Sequence, residues 1–127
     1  MAKIELTNQQ VVDKVYAHLK EQGKPARDFT GQCFYRGPGG TRCAVGCLIP
    51  PRFYHPLMET NSIDTVLFET IFGDLFPREQ IPLLKQLQHI HDSWAVPFEF
   101  NFIHERIRIL CEDFKLNFPG AEAPKES

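Results

Sequence analysis

The residues from Gly31 to Pro51 constrain the fold more than any other stretch. They read GQCFYRGPGGTRCAVGCLIPP and hold five of the eight glycines and three of the four cysteines. Gly37-Pro38-Gly39-Gly40 combines the fixed φ of proline with the positive φ open to glycine. On either side lie short runs that favour extended backbone, Cys33-Phe34-Tyr35-Arg36 and Thr41 to Val45. Two such runs around a Gly-rich loop predict a β-hairpin. Its register stays open. A three-residue loop sets Cys33 opposite Cys43, a four-residue loop sets Phe34 opposite Cys43, and a slip of one residue exchanges the faces. Ala44-Val45-Gly46-Cys47-Leu48-Ile49 is small and apolar, and is expected inside as a helical turn before Pro50-Pro51 ends regular pairing.

Helical patterns surround this stretch. Thr7 is placed to cap a helix, Gln10 completes a capping box, and Leu6 and Val11 have the spacing of a hydrophobic staple. Val12, Val15, Tyr16 and Leu19 come next, and Gly23 and Pro25 mark the end. Residues 50 to 61 read as an ordered, proline-rich loop. A second helix is predicted from Ser62 through Ile71. A third starts at Arg78 or Pro82 and runs to His91, with Leu84, Leu87 and His91 on one face. The last, from Pro97 to Leu116, carries Phe100, Ile103, Ile107, Leu110 and Phe114 three or four residues apart, the clearest amphipathic signal in the chain. Phe98, Phe102 and Ile109 lie off that stripe and form a second strip, read first as wide core contact and otherwise as a dimer surface. The expected fold is α+β, about four helices packed around a small β-hairpin. Residues 1–117 form one domain and 118–127 a flexible tail.

A chain of 127 residues can bury roughly two-thirds of its unfolded surface, enough to fold without a metal or disulfide. A net charge of −2 argues against general nucleic-acid binding. No basic-apolar-small leader opens the sequence, and no run of about 20 apolar residues occurs. The protein is therefore expected in the cytoplasm of a bacterial host, off the membrane, with its cysteines as thiols.

Three constellations could carry chemistry. Cys33, Cys43 and Cys47 could hold a zinc ion with a histidine, but only the gap between the last two resembles a metal clasp. His89 and His91 diverge by about 200° on a helix and could not share an ion. Buried free thiols are the plainer account. Cys43 or Cys47 as nucleophile, His91 as base and Asp92 as orienting group would make a cysteine hydrolase or transferase, with Cys43 the first choice. Neighbouring residues on a helix point apart, however, so His91 reads instead as a core histidine bonded to hairpin backbone, with Asp92 capping the following segment. Third, Arg36 and Arg42 flank the glycines of the tip. Bare amides of Gly39 and Gly40 with two guanidiniums could cradle a phosphate, and Tyr35 or Phe34 could stack on a base.

Two motifs support a resemblance. Cys33-Phe34-Tyr35-Arg36-Gly37 with Arg42-Cys43-Ala44-Val45-Gly46-Cys47-Leu48-Ile49-Pro50, and Leu87-Gln88-His89-Ile90-His91-Asp92, resemble a family of small uncharacterised bacteriophage and prophage proteins. Members often carry an acidic residue after the first proline, where this chain has Pro51. The resemblance implies a context rather than an activity. Taken with small size and many phenylalanines, it leads to a binding protein that inhibits a bacterial defence system. It would occupy a host protein or sequester a small phosphorylated, nucleotide-like signal at Tyr35, Arg36, Gly39, Gly40 and Arg42. No cofactor is expected, and a homodimer through the second aromatic strip is a further partner reading.

Overall fold

A computed structural model describes residues 3–27, 34–60, 75–95, 97 and 99–120. The first helix, α1, spans Asn8–Gln22 and begins as its sequence predicts. The Gln10 amide donates to Thr7 Oγ1 at 3.1 Å, and the Thr7 amide donates to Gln10 Oε1 at 2.9 Å. Two orphan amides of the first turn are thus satisfied reciprocally. Gly23 closes the helix with φ 70°, its N–H donating to the Leu19 carbonyl, a left-handed cap that glycine adopts without a Cβ penalty. Val11, Val12, Val15, Tyr16 and Leu19 face inward.

A 3-10 turn at Arg78–Gln80 leads into α2, Ile81–Asp92. Pro82 sits in the first turn, where its missing N–H costs nothing. The third helix, α3, covers Phe100–Asp113 and buries Ile103, Ile107, Leu110 and Cys111. Each of the three helices packs on the other two. Trp94, fully buried between α2 and α3, meets Phe100 edge-on with ring centroids 6.0 Å apart. Gln80 ties the start of α2 to the segment that leads into α1, its amide donating to the Leu6 carbonyl at 2.7 Å. Beyond α3, Phe118 packs edge-on against Tyr16 and His104.

The expected α+β fold, with four helices around a β-hairpin, is not what forms. The described residues are helical, with three α-helices, five short 3-10 turns and no strand. The helix predicted from Ser62 lies outside them. In place of the hairpin stands one isolated antiparallel bridge, Arg36 opposite Arg42. The Gly37 amide donates to the Thr41 carbonyl and the Cys43 amide to the Tyr35 carbonyl. Tyr35 therefore faces Cys43, a register that matches neither of the two anticipated pairings.

Competing partners explain why the ladder stops. The Phe34 amide donates to the Ala26 carbonyl instead of across the turn. The Tyr35 and Arg36 amides both donate to the Glu59 carboxylate, at 2.8 and 3.0 Å. On the other arm, Gln22 and His18 of α1 take up the amide and carbonyl of Arg42. With the outward groups bound by side chains, neither arm offers an edge for further pairing. After Cys43 the chain coils into a 3-10 turn, Gly46–Leu48, which packs on α1. Gly46 is required there: a Cβ would lie 1.9 Å from the Tyr35 carbonyl oxygen.

Candidate functional site

The two sequence motifs meet, through backbone. The Gln88 side chain, on the last turns of α2, accepts from the Val45 amide at 3.1 Å and donates to Asp92 Oδ1 at 2.9 Å. His91 is completely buried. Its Nε2 lies 2.9 Å from the Ala26 amide nitrogen and its Nδ1 lies 2.9 Å from Asp92 Oδ1. An amide can only donate, so Nε2 is the bare nitrogen and the ring proton sits on Nδ1, directed at the carboxylate. Arg27 in turn donates to the carbonyls of Asp92 and Trp94. His91 is thus a core histidine held by backbone, as its face on α2 suggested, but the backbone belongs to Ala26 rather than to the turn at 36–42.

This constellation brings Cys43, His91 and Asp92 into one neighbourhood without arming a nucleophile. Both ring nitrogens of His91 are engaged, by Ala26 and Asp92. The Cys43 sulfur accepts from the Gly46 amide at 3.2 Å. Burial pushes its thiol well above the ordinary range, and the nearby Asp92 and Cys47 add to that, while the Gly46 amide and Gln88 pull it partly back. A nucleophilic cysteine needs the opposite, a depressed value beside a cation. Cys47 donates its S–H to the Ala44 carbonyl at 3.1 Å, and burial pushes its thiol up to about 12, against the pull of Arg42 and Lys14. Cys33 lies outside the described residues. Among those described, no three His, Cys, Asp or Glu side chains gather to hold a metal ion.

The residues nominated at the tip separate into two groups. Tyr35 is buried, and the Arg36 guanidinium turns inward over the Tyr54 ring at 4.3 Å, its Nη2 donating to the Ile49 carbonyl at 3.2 Å. Glu59 anchors this cluster, accepting from the Tyr54 hydroxyl at 2.5 Å as well as from the Tyr35 and Arg36 amides. Burial first, and Glu59 second, push the Tyr54 phenol up to about 12. Gly39, Gly40 and Arg42 remain at the tip. With Lys24, His18 and Glu21 they line an open concavity of about 460 Å³. Glu59 was not visible as a partner in the sequence, because nothing in a proline-rich loop marks one glutamate for distant amides.

A larger groove, about 680 Å³, lies between α2 and α3. Ile81, Ile90, Leu110 and Phe114 supply apolar wall, and Ile109 reaches into it from α3 while remaining 46% exposed. Arg78 of the turn before α2, Lys85 and His89 of α2 and Arg106 of α3 also line this surface. Among the described residues, Asp113 is the only carboxylate that lines it. Arg106 stacks on Phe102, itself 39% exposed, with its guanidinium 4.8 Å from the ring centre. Phe102 and Ile109 thus lie outside the core. The off-stripe spacing of Ile109 was the one sequence signal of this groove.

Comparison of the chain with protein-family models, with curated proteins and with solved structures finds no match. No helix among the described residues is long and apolar enough to cross a membrane.

Proposed function

We propose that this chain is a binding protein of the phage and prophage type, working in the bacterial cytoplasm by occupying a host protein of a defence system. The observation that carries the proposal is the groove between α2 and α3, whose apolar wall includes the half-exposed Ile109 among the described residues. The two motifs that resemble phage and prophage proteins supply the biological setting. The competing reading as a cysteine hydrolase needs a free imidazole nitrogen next to a thiolate, and His91 has neither nitrogen to spare.

Site-specific photocrosslinking in bacteria tests the proposal. A photoreactive phenylalanine analogue at Ile109 should yield a discrete adduct with a host protein, lost when Arg106→Glu is added. The same analogue at Lys24 should not yield that adduct. No adduct from Ile109, or the same adduct from both positions, refutes the groove as the binding surface.

A second reading keeps the tip as a site for a small phosphorylated ligand. It is favoured by Arg42 and Lys24, which make no ion pair among the described residues, standing with Gly39 and Gly40 around one concavity. Native mass spectrometry of protein purified from cells should then show a bound anion that Arg42→Ala loses. Retention by that variant sinks the tip.

A further inference from the structure

We infer that the concavity at the tip takes a phosphorylated polyol, a sugar phosphate rather than a nucleotide. The inference rests on the reading of the tip as a site for a small phosphorylated ligand and adds the group that carries the phosphate. The concavity lies where the C-terminal turn of α1 meets the Gly-rich turn, and Gln22 fixes the two together. Its Oε1 accepts from the Arg42 amide at 2.8 Å, and its Nε2 donates to the carbonyls of Arg42 and Lys24 at 3.0 and 2.6 Å. The backbone beneath both cations is therefore held in place, while neither charged end enters an ion pair among the described residues. Gly39 and Gly40 complete the wall at φ 69° and 80°, with no atom within 4 Å of where a Cβ would stand. A phosphate can approach bare backbone there beside two cations.

The rest of the wall identifies the rest of the ligand. Every side chain lining the concavity is polar, so a nucleobase would find no apolar surface to cover. A base also needs a ring to stack on, and Tyr35 is buried. The one ring in the wall is the His18 imidazole, tied through Nε2 to the Arg42 carbonyl at 2.9 Å. A carbonyl only accepts, so Nε2 of the neutral ring carries the proton and Nδ1 is left as an acceptor, without a partner among the described residues. Glu21 is a second acceptor, exposed and outside any ion pair among the described residues. Hydroxyl groups are the donors that suit both. The Glu21 carboxylate also leaves the two cations a single surplus positive charge, which fits a phosphate monoester better than a polyphosphate. At about 460 Å³ the concavity stands near the lower end for small-molecule sites, roughly 300–1,000 Å³.

Isothermal titration calorimetry of the full chain tests this with four probes: ribose 5-phosphate, ribose, inorganic phosphate and AMP, which adds only a base to the first. Ribose 5-phosphate should bind about tenfold or more tighter than inorganic phosphate, the gain from hydroxyls bonded to a charged acceptor. AMP should bind no tighter than ribose 5-phosphate, and ribose should not bind. Arg42→Ala should abolish binding of every anion at an unchanged melting temperature, and Lys24→Ala, at an exposed position, should weaken it. Glu21→Ala separates the sugar from the phosphate. It should weaken ribose 5-phosphate but tighten inorganic phosphate, because the carboxylate accepts from hydroxyls and repels the anion. Equal affinity for those two probes, AMP as the tighter ligand, or a Glu21→Ala variant that tightens both overturns the polyol and leaves the tip as a phosphate site. Silence from every probe at millimolar concentration, or binding untouched by both Arg42→Ala and Lys24→Ala, removes the tip as a site altogether.

Discussion

Replacing Gly46 by alanine should be among the most damaging single-methyl changes available in this chain. A Cβ there would lie 1.9 Å from the Tyr35 carbonyl oxygen, 2.7 Å from its carbonyl carbon and 3.0 Å from its Cα. All three are backbone, so no rotamer change relieves the clash. Restoring ordinary contact means moving the Gly46–Leu48 turn away from Tyr35 by about 1.5 Å, which a well-packed interior resists. Tyr35 cannot retreat easily, because its amide is held by Glu59. The movement would also break the bond from the Cys43 amide to the Tyr35 carbonyl, now 3.3 Å. Overpacking costs about 1–3 kcal/mol and a lost hydrogen bond about 1 kcal/mol. Alanine stiffens the unfolded chain and returns up to about 1 kcal/mol. The net loss is about 3 kcal/mol, a fall on the order of 10 °C in melting temperature for a domain of this size. Gly39→Ala is the matched control. It has φ 69° with nothing within 4 Å of its Cβ, so only left-handed strain of about 1 kcal/mol applies. Thermal melts of the two variants, followed by circular dichroism, decide the matter. If Gly46→Ala melts at or above Gly39→Ala, the close approach to Tyr35 has been misjudged.

Removing the His91 acceptor with His91→Phe leaves the Ala26 amide buried without a partner and should cost about 2 kcal/mol in urea unfolding; a variant as stable as the parent would show that this bond is dispensable. Replacing Glu59 with glutamine should lower the Tyr54 phenol from about 12 towards the usual tyrosine range in an ultraviolet titration, with burial still holding it up; no change would exclude the Glu59 contact. Alkaline pH should destabilise the fold. Cys43, Cys47 and Cys111 are all raised by burial, so between the ordinary thiol range and the folded values the unfolded chain releases protons that the folded chain keeps. Stability is then full below about pH 8.5 and falls above it, by up to about 1.4 kcal/mol per pH unit for each thiol. Denaturation midpoints that stay flat from pH 8 to 10 would contradict the buried-thiol assignment.

The features legible in the sequence arise from interactions between near neighbours. The capping box of Thr7 and Gln10, the left-handed Gly23 and the stripe of Ile103, Ile107 and Leu110 each depend on residues within a turn or two, so propensity and periodicity were enough. The hairpin depended on amides whose partners lie far away. Glu59 sits 24 residues from Tyr35, and Gln22 sits 20 residues from Arg42, and no local pattern signals such captures. His91 and Asp92 failed differently. Their Cβ directions diverge by about 100°, yet a carboxylate still reaches the nearer ring nitrogen at 2.9 Å. At the tip, Arg36 and Arg42 looked equivalent in sequence. The ring of Tyr54, in the loop beyond Pro50-Pro51, draws one of them inward and leaves the other outside.

Two side chains one helical turn apart, Gln88 and His91, accept from the amides of Val45 and Ala26. Those amides are 19 residues apart in the chain, yet their protection from hydrogen exchange depends on one event, the unwinding of the C-terminal turn of α2. Ala26 and Val45 should therefore exchange as a pair, with one opening free energy and one response to denaturant. The two loops form a single cooperative unit that α2 holds closed.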